Sequence, residues 1–218
     1  MKSARFSNGE AFPAPISKVV CVGRNYAEHA RELNNPVPAT PILFIKPNSA
    51  VVDLEGEFTL GGHGDSVHYE GELAILIGKT LTDASAEMAQ DAIAGLGLAL
   101  DLTLRSVQTV LKEKGLPWEI AKAFDGACPL SVFAPLENQD LAALEFWLEI
   151  DSVPKQHGQS AAMLTSITRL LAYMSTYFTL LPGDVVLTGT PAGVGELRAG
   201  NKLNFFSNFG IALSASVK

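Results

Sequence analysis

Short apolar runs, each bounded by glycine, proline or charged residues, dominate the chain. Runs of this length read as strands buried on both faces. Residues 17–23 form the first and end at Gly23, and residues 42–45 form the second and end at Lys46-Pro47. The longest candidate strand is 67–77, closed by Gly78. Residues 95–100, 142–150, 185–188 and 203–217 add further strand-like segments. Helical spacing is rarer. Residues 24–33 carry a short helical pattern that Asn34, Asn35, Pro36 and Pro38 stop. Residues 84–95 and 102–115 predict two more, the second ended by Gly115-Leu116-Pro117. The best helical pattern covers 161–178, where Leu164, Ile167, Leu170, Leu171, Met174 and Phe178 fall at i, i+3, i+4 spacing. Residues 53–65 predict a hairpin or loop, and 189–195 a glycine-rich loop.

Strands are in the majority and the helices are scattered, without strict β-α alternation. That order argues against a doubly wound nucleotide fold. The glycine loops agree, since neither the Walker A pattern nor the dinucleotide fingerprint occurs. At 218 residues the length allows one or two domains, and no repeat or linker divides the chain. Hydrophobic residues make up 47%, enough for a sizeable core. The net charge of −7 and the lack of any Lys/Arg cluster exclude a general nucleic-acid binder. The longest strongly apolar stretch, 92–100, is far too short to span a membrane, and no secretory signal is visible. Cys21 and Cys128 sit among apolar or small residues and read as buried free thiols. A cytoplasmic protein is the expectation.

The most informative segment runs from His68 to Gly78. On a strand, Glu70 and Glu72 point to one face. They read either as a solvated face or, because Leu73 to Ile77 implies burial, as two anions that need a cation. Asp101, at the end of another apolar run, reads either as a helix cap or as a third carboxylate. Three carboxylates without a Cys/His cluster favour a hard ion, Mg²⁺ or Mn²⁺.

His29 and Glu32 share one helix face, as a surface pair or as a general base with its orienting carboxylate. The Asn34-Asn35-Pro36 stop beside them suggests a lid. Lys122 lies among small and aromatic residues, either snorkelling or buried against an anion. Arg105 and Gln108 share a helix face that follows Asp101. The loop after Thr188 is a plain connection or a cradle for an anionic ligand.

Taken in order, these segments resemble the fumarylacetoacetate hydrolase family, most of all its short single-domain acylpyruvase / oxaloacetate decarboxylase members. The matching pieces begin with Gly23-Arg24-Asn25-Tyr26 together with His29 and Glu32, then Phe44-Ile45-Lys46-Pro47. His68, Glu70, Glu72 and Leu73 follow, then Asp101, Thr103, Arg105 and Gln108. Lys122, Phe124 and Asp125 come next, and Gly183-Asp184 with Thr188-Gly189-Thr190-Pro191 and Gly193-Val194-Gly195 completes the set. The pieces span about residues 18–195 in the family's order. Tyr69 and Gly71 depart from the usual pattern, and Gly71 suggests a bulge or a close backbone approach beside Glu72.

The resemblance implies a single β-rich mixed α+β domain over residues 1–218, a rolled β-sandwich with peripheral helices, usually a homodimer. Glu70, Glu72 and Asp101 would hold one Mg²⁺ or Mn²⁺. His29 and Glu32 would activate water on a lid. Lys122, Arg105, Gln108 and Thr190 would contact the α-keto acid end of a small substrate. The activity implied first is hydrolytic C–C cleavage of 3-acylpyruvates to pyruvate and a carboxylic acid through a metal-stabilised pyruvate enolate. The alternatives are oxaloacetate decarboxylation, oxaloacetate keto–enol tautomerisation, or a decarboxylase, isomerase or hydratase of aromatic catabolism.

Overall fold

The computed structural model describes residues 1–61 and 66–218. The last part of the loop expected over 53–65 therefore lies outside the described residues. An eight-stranded sheet forms the centre. Its path runs Ile42–Pro47, Lys18–Gly23, Val185–Leu187, Gly71–Ile77, Ile93–Leu100, Cys128–Leu130, Val51–Asp53, with Ala134–Pro135 also pairing to Ile93–Leu100. Its first and last strands on that path are joined through a single 3₁₀ turn, Asn48–Ala50. Edges tied so closely require a rolled sheet.

The roll explains the composition of its strands. One residue set from every strand on the path, including Cys21, Phe44, Val51, Ala74, Ala99, Cys128 and Leu187, forms one apolar cluster. Many members are small, as a narrow interior needs. Leu73, Ile75 and Ile77 belong to the other, larger cluster, with Leu170, Leu171, Met174, Phe146 and Phe205. The Gly71–Ile77 strand is thus apolar on both faces because each face meets a different core. Cys21 and Cys128 are buried and unpaired, and burial pushes the Cys128 thiol up to about 12, so it stays unreactive.

A five-stranded sheet, Val153–Gln159, Glu145–Ile150, Lys202–Ser207, Ala212–Val217 and Gly56–Phe58, packs on the larger core. The strand-like segment expected over 203–217 is two antiparallel strands that form a hairpin. Helices Ala27–Glu32, Ala86–Asp91, Arg105–Glu113, Glu119–Lys122 and Ile167–Ser175 lie at the periphery. No helix among the described residues is long and apolar enough to cross a membrane.

Two elements differ from the sequence pattern. The strand expected over 67–77 breaks at Glu70. Val67–Tyr69 turns away to pair with Thr103–Leu104 and Gly195–Leu197 in a small three-stranded sheet. The helix expected over 161–178 is only Ile167–Ser175. Its first part is a 3₁₀ turn, Ser160–Ala162, followed by a bend that Asn25 holds, accepting from the Leu164 and Thr165 N–H groups through its backbone and side-chain oxygens.

The strand Val185–Leu187 leaves the roll through Gly189, whose φ is +94°. A Cβ there would sit 2.7 Å from Asn25 Cβ. Gly189→Ala combines a left-handed backbone with a side-chain clash, and we expect it to lower unfolding stability by about 2 kcal/mol or more in denaturant titration.

Candidate active site

Strand register assembles the carboxylates. Gly71 pairs with Leu100 and Glu72 with Ala99 in the antiparallel ladder. Continuing that register sets Glu70 opposite Asp101, and the Asp101 N–H indeed donates to the Glu70 carbonyl at 2.8 Å. Glu72 is then their diagonal neighbour on the same face. Ligand oxygens of Glu70, Glu72 and Asp101 lie within 4.8 Å of one another, and all three residues are buried. Asp101 caps no helix, because the next helix starts at Arg105 behind the bridge residues Thr103–Leu104.

Gly71 does not bulge the strand, since the register there is regular. It makes room for a side chain instead. Its N–H donates to Gln156 Oε1 at 2.9 Å, and an added Cβ would meet that same oxygen.

Cations reach the carboxylates unequally. Lys122 is buried and donates to Glu70 Oε2 at 2.8 Å, Asp101 Oδ2 at 2.7 Å and Thr103 Oγ1 at 2.7 Å. Arg105 donates to Glu70 Oε1 at 2.5 Å and to Gln108 Oε1 at 2.8 Å. Burial pushes the Glu70 carboxyl up, but Lys122, Arg105 and His29 together hold it well below the usual carboxylate range. Glu72 touches no cation and accepts the Gly189 N–H at 2.6 Å. Burial, then Asp101 and Glu70, push its carboxyl well above the ordinary value.

Lys46 was visible in the sequence only as part of a resembling segment, with no role attached. It is fully buried. Its ammonium donates to the carbonyls of Ala127 at 3.0 Å, Leu102 at 3.4 Å and Lys122. Those three carbonyls use its three protons. Asp101 Oδ1, 2.8 Å from Nζ, is therefore held by charge and has no hydrogen-bond partner. The signal for Lys46 was alternation: it shares a strand face with Phe44, which points into the roll.

A hard divalent ion fits this set. Its ~2.0–2.1 Å bonds need oxygens that can close to about 3 Å, and two of the oxygens here are short of partners: the Asp101 Oδ1 atom and the Glu72 carboxylate. Among the described residues this is the acidic, histidine or cysteine group able to hold a metal ion.

His29 is buried and lines the same cleft as Glu70, Glu72, Arg105, Gln108, Lys122 and Thr190. Burial lowers its pKa below the ordinary value, outweighing Glu70 and Glu32, so the imidazole is neutral at pH 7. Glu32 Oε2 stands 3.5 Å from His29 Nδ1, outside hydrogen-bond geometry, and Oε1 accepts the Gly193 N–H at 3.0 Å. Thr190 Oγ1 donates to the Gly71 carbonyl and accepts from Gln156, so its hydroxyl also ties the loop to the strand. Asp184, from the resembling Gly183-Asp184 segment, lies elsewhere, buried against Ser17 and Lys18. Asn25, which carried no role in the sequence reading, bridges the carbonyls of Thr165 and Thr188 beneath the loop.

Residues 18–213 match the family model described as "Fumarylacetoacetate (FAA) hydrolase C-terminal", and the chain belongs to that family of enzymes. It is 50% identical over 197 residues to an Escherichia coli protein named oxaloacetate tautomerase YcgM, covering 89% of this chain and 90% of that one. It is 41% identical over 185 residues to a Dictyostelium discoideum mitochondrial oxaloacetate decarboxylase, covering 84% and 85%. It superimposes with a TM-score of 0.89 on the Pseudomonas aeruginosa fumarylpyruvate hydrolase solved with Mn²⁺ and pyruvate, at 34% identity over 99% of this chain and 94% of that one. Names among these relatives favour the oxaloacetate alternatives over the acylpyruvate hydrolysis that the resemblance first implied.

Breaking a buried pair from one side is expensive, about 3–5 kcal/mol. We expect Lys46→Met to destabilise the protein by that order in chemical denaturation, and Asp101→Asn in the same background to restore part of the loss.

Proposed function

We propose that the protein is an oxaloacetate keto–enol tautomerase that works with Mg²⁺ or Mn²⁺ held by Glu70, Glu72 and Asp101. The observation that carries this reading is a buried imidazole, its pKa lowered by that burial, in the same cleft as the carboxylate cluster and its lysine. Bound there, the ion would supply Lewis-acid polarisation of the 2-keto acid end and so acidify the neighbouring C3–H. His29 would take that C3 proton as general base. The second nitrogen, Nε2, is the one left for the cleft, because Nδ1 faces Glu32.

Lys122 is the electrostatic partner rather than the acid. Burial lowers its pKa, but Asp101 and Glu70 raise it above the ordinary value, so it keeps its proton. A fixed positive charge beside the developing oxyanion lowers the barrier without giving up a proton. Arg105 and Gln108 would orient the carboxylate at the same end. The proton taken from C3 returns to the oxygen through His29 or solvent.

Tautomerisation needs the neutral base alone. Hydrolysis also needs a water held by His29 and Glu32, and here the Glu32 Oε1 atom is bound to the Gly193 N–H. Likeness to the fumarylpyruvate hydrolase keeps C–C hydrolysis as the second reading. Proton NMR with Mn²⁺ separates the two. Faster enol–keto exchange of oxaloacetate, with no acetate from acetylpyruvate, supports the tautomerase. Acetate and pyruvate formed without any gain in oxaloacetate exchange would replace it with the hydrolase.

The base has a pH signature. A lowered His29 pKa leaves the base form in place at neutral pH and lost only on acidification. We expect kcat/KM to be flat above pH 7 and to fall below an apparent pKa under 6.5. His29→Asn should cut the rate by ~10²–10⁴-fold and remove that limb. Glu70→Ala should lower Mn²⁺ affinity in calorimetry by at least the ~100-fold that a lost supporting group costs, and unaltered affinity would sink the ligand assignment.

A further inference from the structure

Two cations in the cleft have no carboxylate. Lys122 and Arg105 are committed to Glu70. Arg24 and Lys112 line the same cleft, and neither forms an ion pair among the described residues. Lys112 Nζ lies over the Trp118 ring, 5.8 Å from its centroid. Arg24 has a left-handed backbone, φ 61°. Such a conformation is costly for a long side chain and persists where the surroundings enforce it, often at ligand sites. Here the enforcing neighbour is Asn25, fixed on both sides by Thr165 and Thr188.

Both cations are half-withdrawn from water. Burial lowers the pKa of each, and for Lys112 the charges of Arg24 and Arg105 lower it further. Crowded like charges with no counter-charge are unfavourable in the free protein and become favourable when an anion arrives. A guanidinium grips a carboxylate through paired N–H groups, and an ammonium adds a point charge. Phe44 and Trp118, with ring centroids 6.1 Å apart, line the same cleft, Lys112 lying over the Trp118 ring and Lys122 over the Phe44 ring.

We propose that Arg24 and Lys112 form a subsite for the second carboxylate of a small dicarboxylic 2-keto acid. The proposal rests on the reading above, in which the keto acid end meets the Glu70, Glu72 and Asp101 cluster. It makes Arg24 and Lys112 the residues that select a charged tail over a neutral acyl tail.

D-malate and D-lactate share the same 2-oxygenated acid end and differ in the second carboxylate. Calorimetry with the Mn²⁺-loaded protein should show malate binding ~10–100-fold tighter than lactate, the range expected for charge-assisted hydrogen bonds. Lys112→Met changes a half-exposed helix position, and Arg24→Asn keeps a residue that tolerates a left-handed backbone. In each variant the malate-to-lactate ratio should fall toward one. A wild-type ratio of one overturns the subsite, as does a ratio that survives both substitutions or an equal loss for both acids. Oxaloacetate exchange is followed on the same samples. Its absence in the wild type would fail the tautomerase reading, while the malate-to-lactate ratio would still judge the subsite.

Discussion

Three carboxylates lie buried together at the end of an apolar roll, and an uncompensated charge there would cost several kcal/mol, comparable to a domain's whole net stability. Much of the architecture answers that demand. Lys46 comes from one edge strand of the roll and reaches across to Asp101. In passing it captures the carbonyls of Lys122 and Ala127, which fixes the short helix that delivers Lys122 to Glu70 and Asp101. Glu72 draws in the glycine loop through the Gly189 N–H, and that loop in turn rests on Asn25. Segments far apart in sequence are therefore tied by one electrostatic requirement.

The requirement is met unevenly, and the unevenness is what makes the place chemically useful. Glu70 has two cations and is held ionised, whereas Glu72 has one backbone donor and a raised pKa. Asp101 keeps an oxygen without a hydrogen bond. A fully compensated cluster would gain nothing from a divalent ion. Here an ion's charge would fall on the oxygens that protein donors leave short, so binding energy would be available from burial already incurred. Proteins commonly accept local instability of this kind at functional sites.

Much of the fold was legible because strand and helix periods differ. Residues 17–23, 42–45 and 185–188 read as strands from their apolar runs, and they are strands. Failures came where a distant partner decided the outcome. No local signal in 161–178 tells that Asn25 will hold residues 164 and 165 in a bend outside the helix. Nothing in 67–77 tells that Val67–Tyr69 will find partners in another sheet. The carboxylates were legible because acids inside apolar strands are costly and therefore conspicuous. Lys46 was harder, since a lysine at a strand end normally snorkels. Only the alternation with Phe44 aimed it inward, and only the roll gave it three carbonyls to meet.

Relatives of this chain bear tautomerase, decarboxylase and hydrolase names, so the outcome must be decided beyond what such sites share. The tail of the substrate is one place where it can be decided. A neutral acyl carbon invites attack by water, but a carboxylate carbon is a poor electrophile, so oxaloacetate, whose second carbonyl carbon is its carboxylate, closes the hydrolytic route by itself. Loss of CO₂ needs the tail carboxylate to surrender its charge toward C3. Cations at Arg24 and Lys112 would stabilise that charge in the ground state and oppose its departure, since only interactions stronger in the transition state accelerate a step. Proton removal at C3 leaves the tail charge where it is. For oxaloacetate, a cationic tail subsite therefore leaves enolisation as the one route that His29 and Lys122 assist without working against it.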